Sequence, residues 1–80
     1  MQQITLVYKL AEDVLCYVRK AIAKNKLTPT KLLDMLKLDY CSLIRQPVAA
    51  NPHASVNILR VLLDDKNEEV VRKARSNLNS

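Results

Sequence analysis

Glycine is absent from this 80-residue chain, and so are tryptophan and phenylalanine. Without glycine no residue takes a positive φ freely or lets backbone approach a pyrophosphate closely, which excludes phosphate-cradling loops and dinucleotide-binding turns. Tyr8, Tyr17 and Tyr40 are the only aromatic residues, so the core is expected to be aliphatic, with the tyrosines as packing residues that keep a wet hydroxyl. Two cysteines, Cys16 and Cys41, are too few for a disulfide framework and have no close Cys or His at metal-ligand spacing. A reducing cytoplasm suits them. Long apolar runs are missing as well, since Lys9 and Glu12 interrupt the opening segment before it reaches bilayer length, and no basic start with a cleavage site is present. The expectation is a soluble, unprocessed, cytoplasmic protein with no membrane association and no cofactor, forming one domain over residues 1–80.

What is present is a chain that is 49% hydrophobic and 26% charged, with 13 Lys and Arg against 8 Asp and Glu, a net charge of +5. That balance belongs to a folded globular domain and not to a disordered one. The chain also repeats itself. Asn25, Asn51 and Asn77 are spaced by 26 residues, inside VRKAIAKN, IRQPVAAN and VVRKARSN. At the same offset Ile22 falls on Val48 and Ala74, Val18 on Ile44 and Val70, Asp13 on Asp39 and Asp65, Leu10 on Leu36 and Leu62, and Val7 on Leu33 and Leu59. Three units result, approximately 1–25, 26–51 and 52–80. In the last one Val71 stands where Arg19 and Arg45 stand in the others; Arg72 is read as the equivalent arginine, after a one-residue slip.

Apolar spacing within a unit is helical: Leu33, Leu36, then Leu43, Ile44 and Val48; or Ile58, Leu59, Leu62, then Val70, Val71 and Ala74. Each unit therefore reads as a pair of helices. Thr28 with Pro29 supplies an N-cap and a first-position proline for a helix running to about Leu38, and Asp39 caps the next. Ser55 begins a helix, and Asp65 with Glu68 forms a capping-box variant ahead of Val70 and Val71. The asparagines are expected to end helices in the left-handed conformation, with Pro52 barring helical geometry at Asn51. Pro47 calls for a short, kinked or partly 3₁₀ second helix in the middle unit. No breaker lies between Ile4 and Ala23, which allows the first pair to merge into one long helix.

The strings IRQPVAANP and VLLDDKNEEVVRKA resemble the leucine-rich repeat variant and HEAT-like repeat families, whose units approximate L-x-x-L-x-x-D, V-R, V-A-x-N-P. The match is fullest at Leu33, Leu36, Asp39, Ile44, Arg45, Val48, Ala49, Asn51 and Pro52. The first unit lacks a proline after Asn25, and Leu78 follows Asn77. The resemblance implies an all-α fold, a short right-handed α-solenoid of about three helical hairpins, with a surface that binds another macromolecule. Some leucine-rich repeat variant proteins carry an iron–sulfur cluster on clustered cysteines, which this sequence does not supply. Asp and Arg six residues apart (Asp13 and Arg19, Asp39 and Arg45) look like the polar ladder of HEAT-like units, Asp of one unit facing Arg of the next. In the alternative, each Asp caps its own helix and each Arg is solvated.

Charge is sorted along the unit. Glu12, Asp13, Asp39, Asp64, Asp65, Glu68 and Glu69 gather at the turns within pairs; Lys20, Lys24, Lys26, Arg72, Lys73 and Arg75 gather at the turns between them. A basic edge of this kind suits phosphates, but the middle unit breaks it with Ala49, Ala50, Pro52 and His53, and no aromatic residue is interleaved for base stacking. His53, the only histidine, has no fixed nucleophile and acid beside it, and pairing it with Cys41 is a remote reading. No enzyme is expected. The sequence points to a non-catalytic protein–protein interaction module, a small adaptor or regulator, with nucleic-acid binding as the alternative. Partner or phosphate contacts are assigned to Lys20, Lys24, Lys26, His53, Arg72, Lys73 and Arg75, and structural roles in the repeat to Asp13, Arg19, Asn25, Asp39, Arg45, Asn51, Asp65, Arg72 and Asn77. Since about three units are the minimum for a stable stack and neither end has an evident polar cap, association through an end face or through the groove of second helices is expected, self-association included.

Overall fold

The computed structural model describes residues 2–80, with side chains from Leu6 onward. Ile4, an apolar residue of the first unit, lies outside the described side chains. Among the described residues there are five helices and no strands: α1 (Gln2–Lys24), α2 (Thr30–Leu36), α3 (Ser42–Ala50), α4 (Val56–Leu62) and α5 (Glu68–Leu78). The first unit is one unbroken helix and not a pair, because nothing in its sequence stops it. In the other two units a short helix is followed by a longer one. α3 lies between α1 and α5, α2 packs on α3, and α4 packs on α5. Among the described residues no helix is long and apolar enough to cross a membrane.

The ends of the helices are set differently from the sequence-based expectation. Pro29 is itself the N-cap of α2, in extended geometry, and Thr28 is buried with its hydroxyl donating to the Ile22 carbonyl at 2.6 Å. Cys41, and not Asp39, precedes α3. Asn67, and not Asp65, caps α5, its side chain accepting from the Glu69 and Val70 amides. Ser55 does cap α4, accepting from Ile58 N at 3.3 Å. Pro47 sits inside α3, a helix of only nine residues.

No described residue has a positive φ, so the asparagines are not left-handed caps. Asn51 is extended (φ −75°, ψ 130°), the geometry that a following proline demands. Its buried side chain instead ties two units together. Nδ2 donates to the carbonyls of Ala23 and Asn25, both at 2.9 Å, and Oδ1 accepts from His53 N at 2.8 Å. Asn77 repeats the pair of donated bonds one interval later, to Ala49 and Asn51, again at 2.9 Å. Carbonyls freed at the end of one helix are thereby satisfied by an amide from the next unit. The strict register of Asn77, Val70 and Ala74 also removes the expected slip in the last unit: Val71 occupies the arginine position.

The core consists of Ala23, Leu33, Ile44, Val48, Ala49, Ala54, Ile58, Leu59, Leu62, Val70 and Ala74. It is aliphatic, as the composition requires. Each leucine or isoleucine withdrawn from water contributes about 2 kcal/mol. The tyrosines take no part, since Tyr8, Tyr17 and Tyr40 are all more than 70% exposed.

Candidate functional site

The arginine and aspartate positions form ion pairs, in the opposite sense to the expected ladder. Arg19 of the first unit reaches forward to Asp39 (Nε to Oδ2, 2.6 Å), and Arg45 of the middle unit to Asp65 at 2.7 Å and 3.1 Å through two nitrogens. Each Asp thus meets the Arg of the preceding unit. Asp39 and Asp65 also accept from the backbone two residues on, at Cys41 N and Asn67 N, and Arg45 donates a further bond to the Asp39 carbonyl at 2.7 Å. Pairing and local turn-making are combined in one carboxylate.

Burial alone would push the Asp65 carboxyl up, but bonds from Arg45 and the Asn67 amide, with the Arg45 charge, hold it below the ordinary carboxylate value. The same bond holds Arg45 more firmly protonated. Asp13 lies outside this arrangement: it is exposed and among the described residues approaches only Lys9, at 3.8 Å. Arg72 is likewise not a rung. It forms an exposed pair with Glu69 on its own helix. The edge expected to be acidic is therefore largely neutralised, and its broad open cleft of about 920 Å³ contains Lys37, Arg45 and Lys66 beside Asp39, Asp64 and Asp65.

The opposite edge differs. Lys20 and Lys24 of α1, Lys26 just beyond it and Lys73 of α5 line one groove of about 390 Å³. Its middle is contributed by α3 and the residues after it: Leu43, Gln46, Pro47, Ala50 and Pro52. The small and apolar residues of the middle unit, which break the basic stripe in the sequence, are the floor between two lysine-bearing walls. No acidic side chain lines the groove, and none of the four lysines has an ion-pair partner among the described residues. An anion entering here meets positive charge that nothing has neutralised, above a floor that suits methylene groups.

Four of the seven sequence-assigned contacts thus converge. Arg72 and Arg75 do not line the groove. His53 is tied up elsewhere, its Nδ1 3.2 Å from the Thr28 carbonyl and its own carbonyl accepting from the Thr30 hydroxyl at 2.8 Å. It joins the middle and last units through Nδ1 and its carbonyl, though the residue remains exposed. Sequence reasoning missed the role of Pro47 and Ala50; the signal was that only the middle unit carries no lysine at either position, having Ala50 where the first unit has Lys24 and Pro47 where the last has Lys73. Cys16 and Cys41 are both free thiols. Burial, then the neighbouring Cys41, pushes the Cys16 thiol up, the reverse of what an activated nucleophile requires.

No protein-family model, curated protein or solved structure matches this chain.

Proposed function

We propose that the chain is a short right-handed α-solenoid of leucine-rich-repeat-variant or HEAT-like units, acting in the cytoplasm as a non-catalytic protein-interaction module. Its ligand is an acidic segment of a partner protein, laid across α1, α3 and α5 in the lysine-rimmed groove. The solenoid reading is supported by the amide bonds that Asn51 and Asn77 make at one constant interval. The cytoplasmic reading rests on the cysteine content, two residues being too few for a disulfide framework.

The observation that carries the function is the convergence of Lys20, Lys24, Lys26 and Lys73 around the apolar floor of Leu43, Pro47, Ala50 and Pro52. Lysine ammonium groups are mobile point charges that accept carboxylates in many geometries, and the floor takes an apolar side chain between them. Nucleic acid is the second reading, favoured by the same unpaired charge. The groove holds no aromatic side chain on which bases could stack and no arginine fork for a phosphate.

Fluorescence anisotropy with a labelled peptide of repeated Glu-Glu-Leu units, against an all-Glu peptide and a single-stranded oligonucleotide, tests both. The leucine-containing peptide is expected to bind best. Lys24→Glu with Lys73→Glu should weaken it at least about tenfold by placing like charge in the groove. Equal binding of the two peptides would remove the role of the floor, and tightest binding of the oligonucleotide would put the second reading first.

A further inference from the structure

The first unit leaves apolar side chains in water at positions that the other units bury. Val7 and Leu10 are 62% and 54% exposed, whereas Leu33 and Leu59, equivalent to Val7, are 0% and 3% exposed, and of the two equivalents of Leu10, Leu62 is 1% exposed and Leu36 is half-buried against the core. In the later units these residues belong to the short first helices, α2 and α4, which turn back onto α3 and α5. The surface that would receive such a helix is bare in the first unit too. Val18 is 46% exposed while its equivalents Ile44 and Val70 are fully buried, and on the middle unit Leu32 is open while its last-unit equivalent Ile58 is closed. One chain thus displays both an unused helix and the seat for it. The straightness of α1 keeps the two from meeting within the molecule.

We infer that two copies of this chain associate by laying their α1 helices antiparallel, each supplying the folded-back first helix that the other's first unit lacks. Val7, Leu10, Val14 and Val18 follow spacings of three, four and four residues, which put all of them on one face of α1. A single two-fold pairing centred near Asp13 sets Val7 of each chain over Val18 of the other and satisfies both seats at once. The contact is isologous and closes at two chains. With Leu6, Tyr17 and Leu32 added, seven exposed side chains per protomer place roughly 700 to 1,400 Å² in the interface, which reaches the range of specific dimers. The central residues of this association, Val7, Leu10, Val14 and Val18, do not line the lysine groove.

Light scattering on the full chain after gel filtration, at tens of micromolar, tests the exchange. Twice the chain mass is expected, falling to a single chain for Leu10→Glu with the helical circular dichroism of the remaining units retained. In a Cys16→Ala, Cys41→Ala background, Val7→Cys combined with Val18→Cys is expected to oxidise to a covalent dimer, the two sulfurs losing their protons and two electrons to an added disulfide such as oxidised glutathione. A monomeric parent, a dimer indifferent to Leu10→Glu, or a Val7→Cys/Val18→Cys disulfide closing within one chain would each overturn it.

Discussion

Residues 6–18 and residues 32–44 carry the same apolar pattern, yet the first stretch is a straight exposed helix and the second is a hairpin wrapped around the core. Local punctuation makes the difference. Pro29 opens α2 in extended geometry, and the stretch around Asp39 is held in a turn by Arg19 and the Cys41 amide. Between Leu6 and Ala23 there is no proline and no comparable turn, so the helix runs on. Apolar columns say which side chains ought to be withdrawn from water; turn residues decide whether the chain can do it unaided.

The largest effect should come from truncating one column in both regions. Leu59→Ala is expected to cost about 3 kcal/mol in urea unfolding, since Leu59 is fully enclosed, whereas Val7→Ala should cost less than about 0.5 kcal/mol at a concentration where the chain is monomeric. Equal losses would erase the contrast. Next comes the amide staple. Asn51→Ala removes two donated bonds and one accepted bond and strips the buried Ala23 carbonyl of its amide partner, while the Asn25 carbonyl keeps the Thr28 amide, for about 2 kcal/mol. Asn77→Ala should cost less because that side chain is only half-buried, and Asn25→Ala least, because its side chain bonds only the Leu27 amide.

Of the fold, the helices of the last two units and the aliphatic core were legible, because apolar spacing and the constant interval report side-chain burial directly. The merged first helix was legible as a missing breaker. What the asparagines and aspartates do was not. Asn51 reads locally as a helix stop, and its bonds to Ala23 and Asn25 join groups 28 and 26 residues apart, which no local rule anticipates. The direction of the ion pairs was hidden for the same reason: Arg19 is six residues from Asp13 in sequence, yet it meets Asp39, 20 residues on. At the groove, the lysines were legible as charge, but the alanine and prolines between them looked like an interruption until three helices were set side by side.

A smaller effect separates the ion pairs. A double-mutant cycle on Arg45 and Asp65 should give a coupling of about 1 kcal/mol, because both side chains are largely enclosed and the contact is two-pronged. The exposed Arg72 and Glu69 pair should give none that can be measured. The smallest is a pH effect. Asp65 has its carboxyl held down in the folded chain, so the folded state binds a proton there less readily than the unfolded state does. Its contribution is complete above the unfolded value, near pH 4, and is lost as pH falls through the lower folded value. Asp65→Asn should flatten that acid limb in a urea series.

The asparagine staple also restricts how the sequence can change in length. Each amide must reach two carbonyls laid down one full period earlier, so losing or gaining a single residue inside α3 or α5 would rotate the side chain by about 100° and carry it off both acceptors. Within α3 and α5 the residue count is therefore fixed by the staple, and changes in length are left to the turns between helices or to whole added periods.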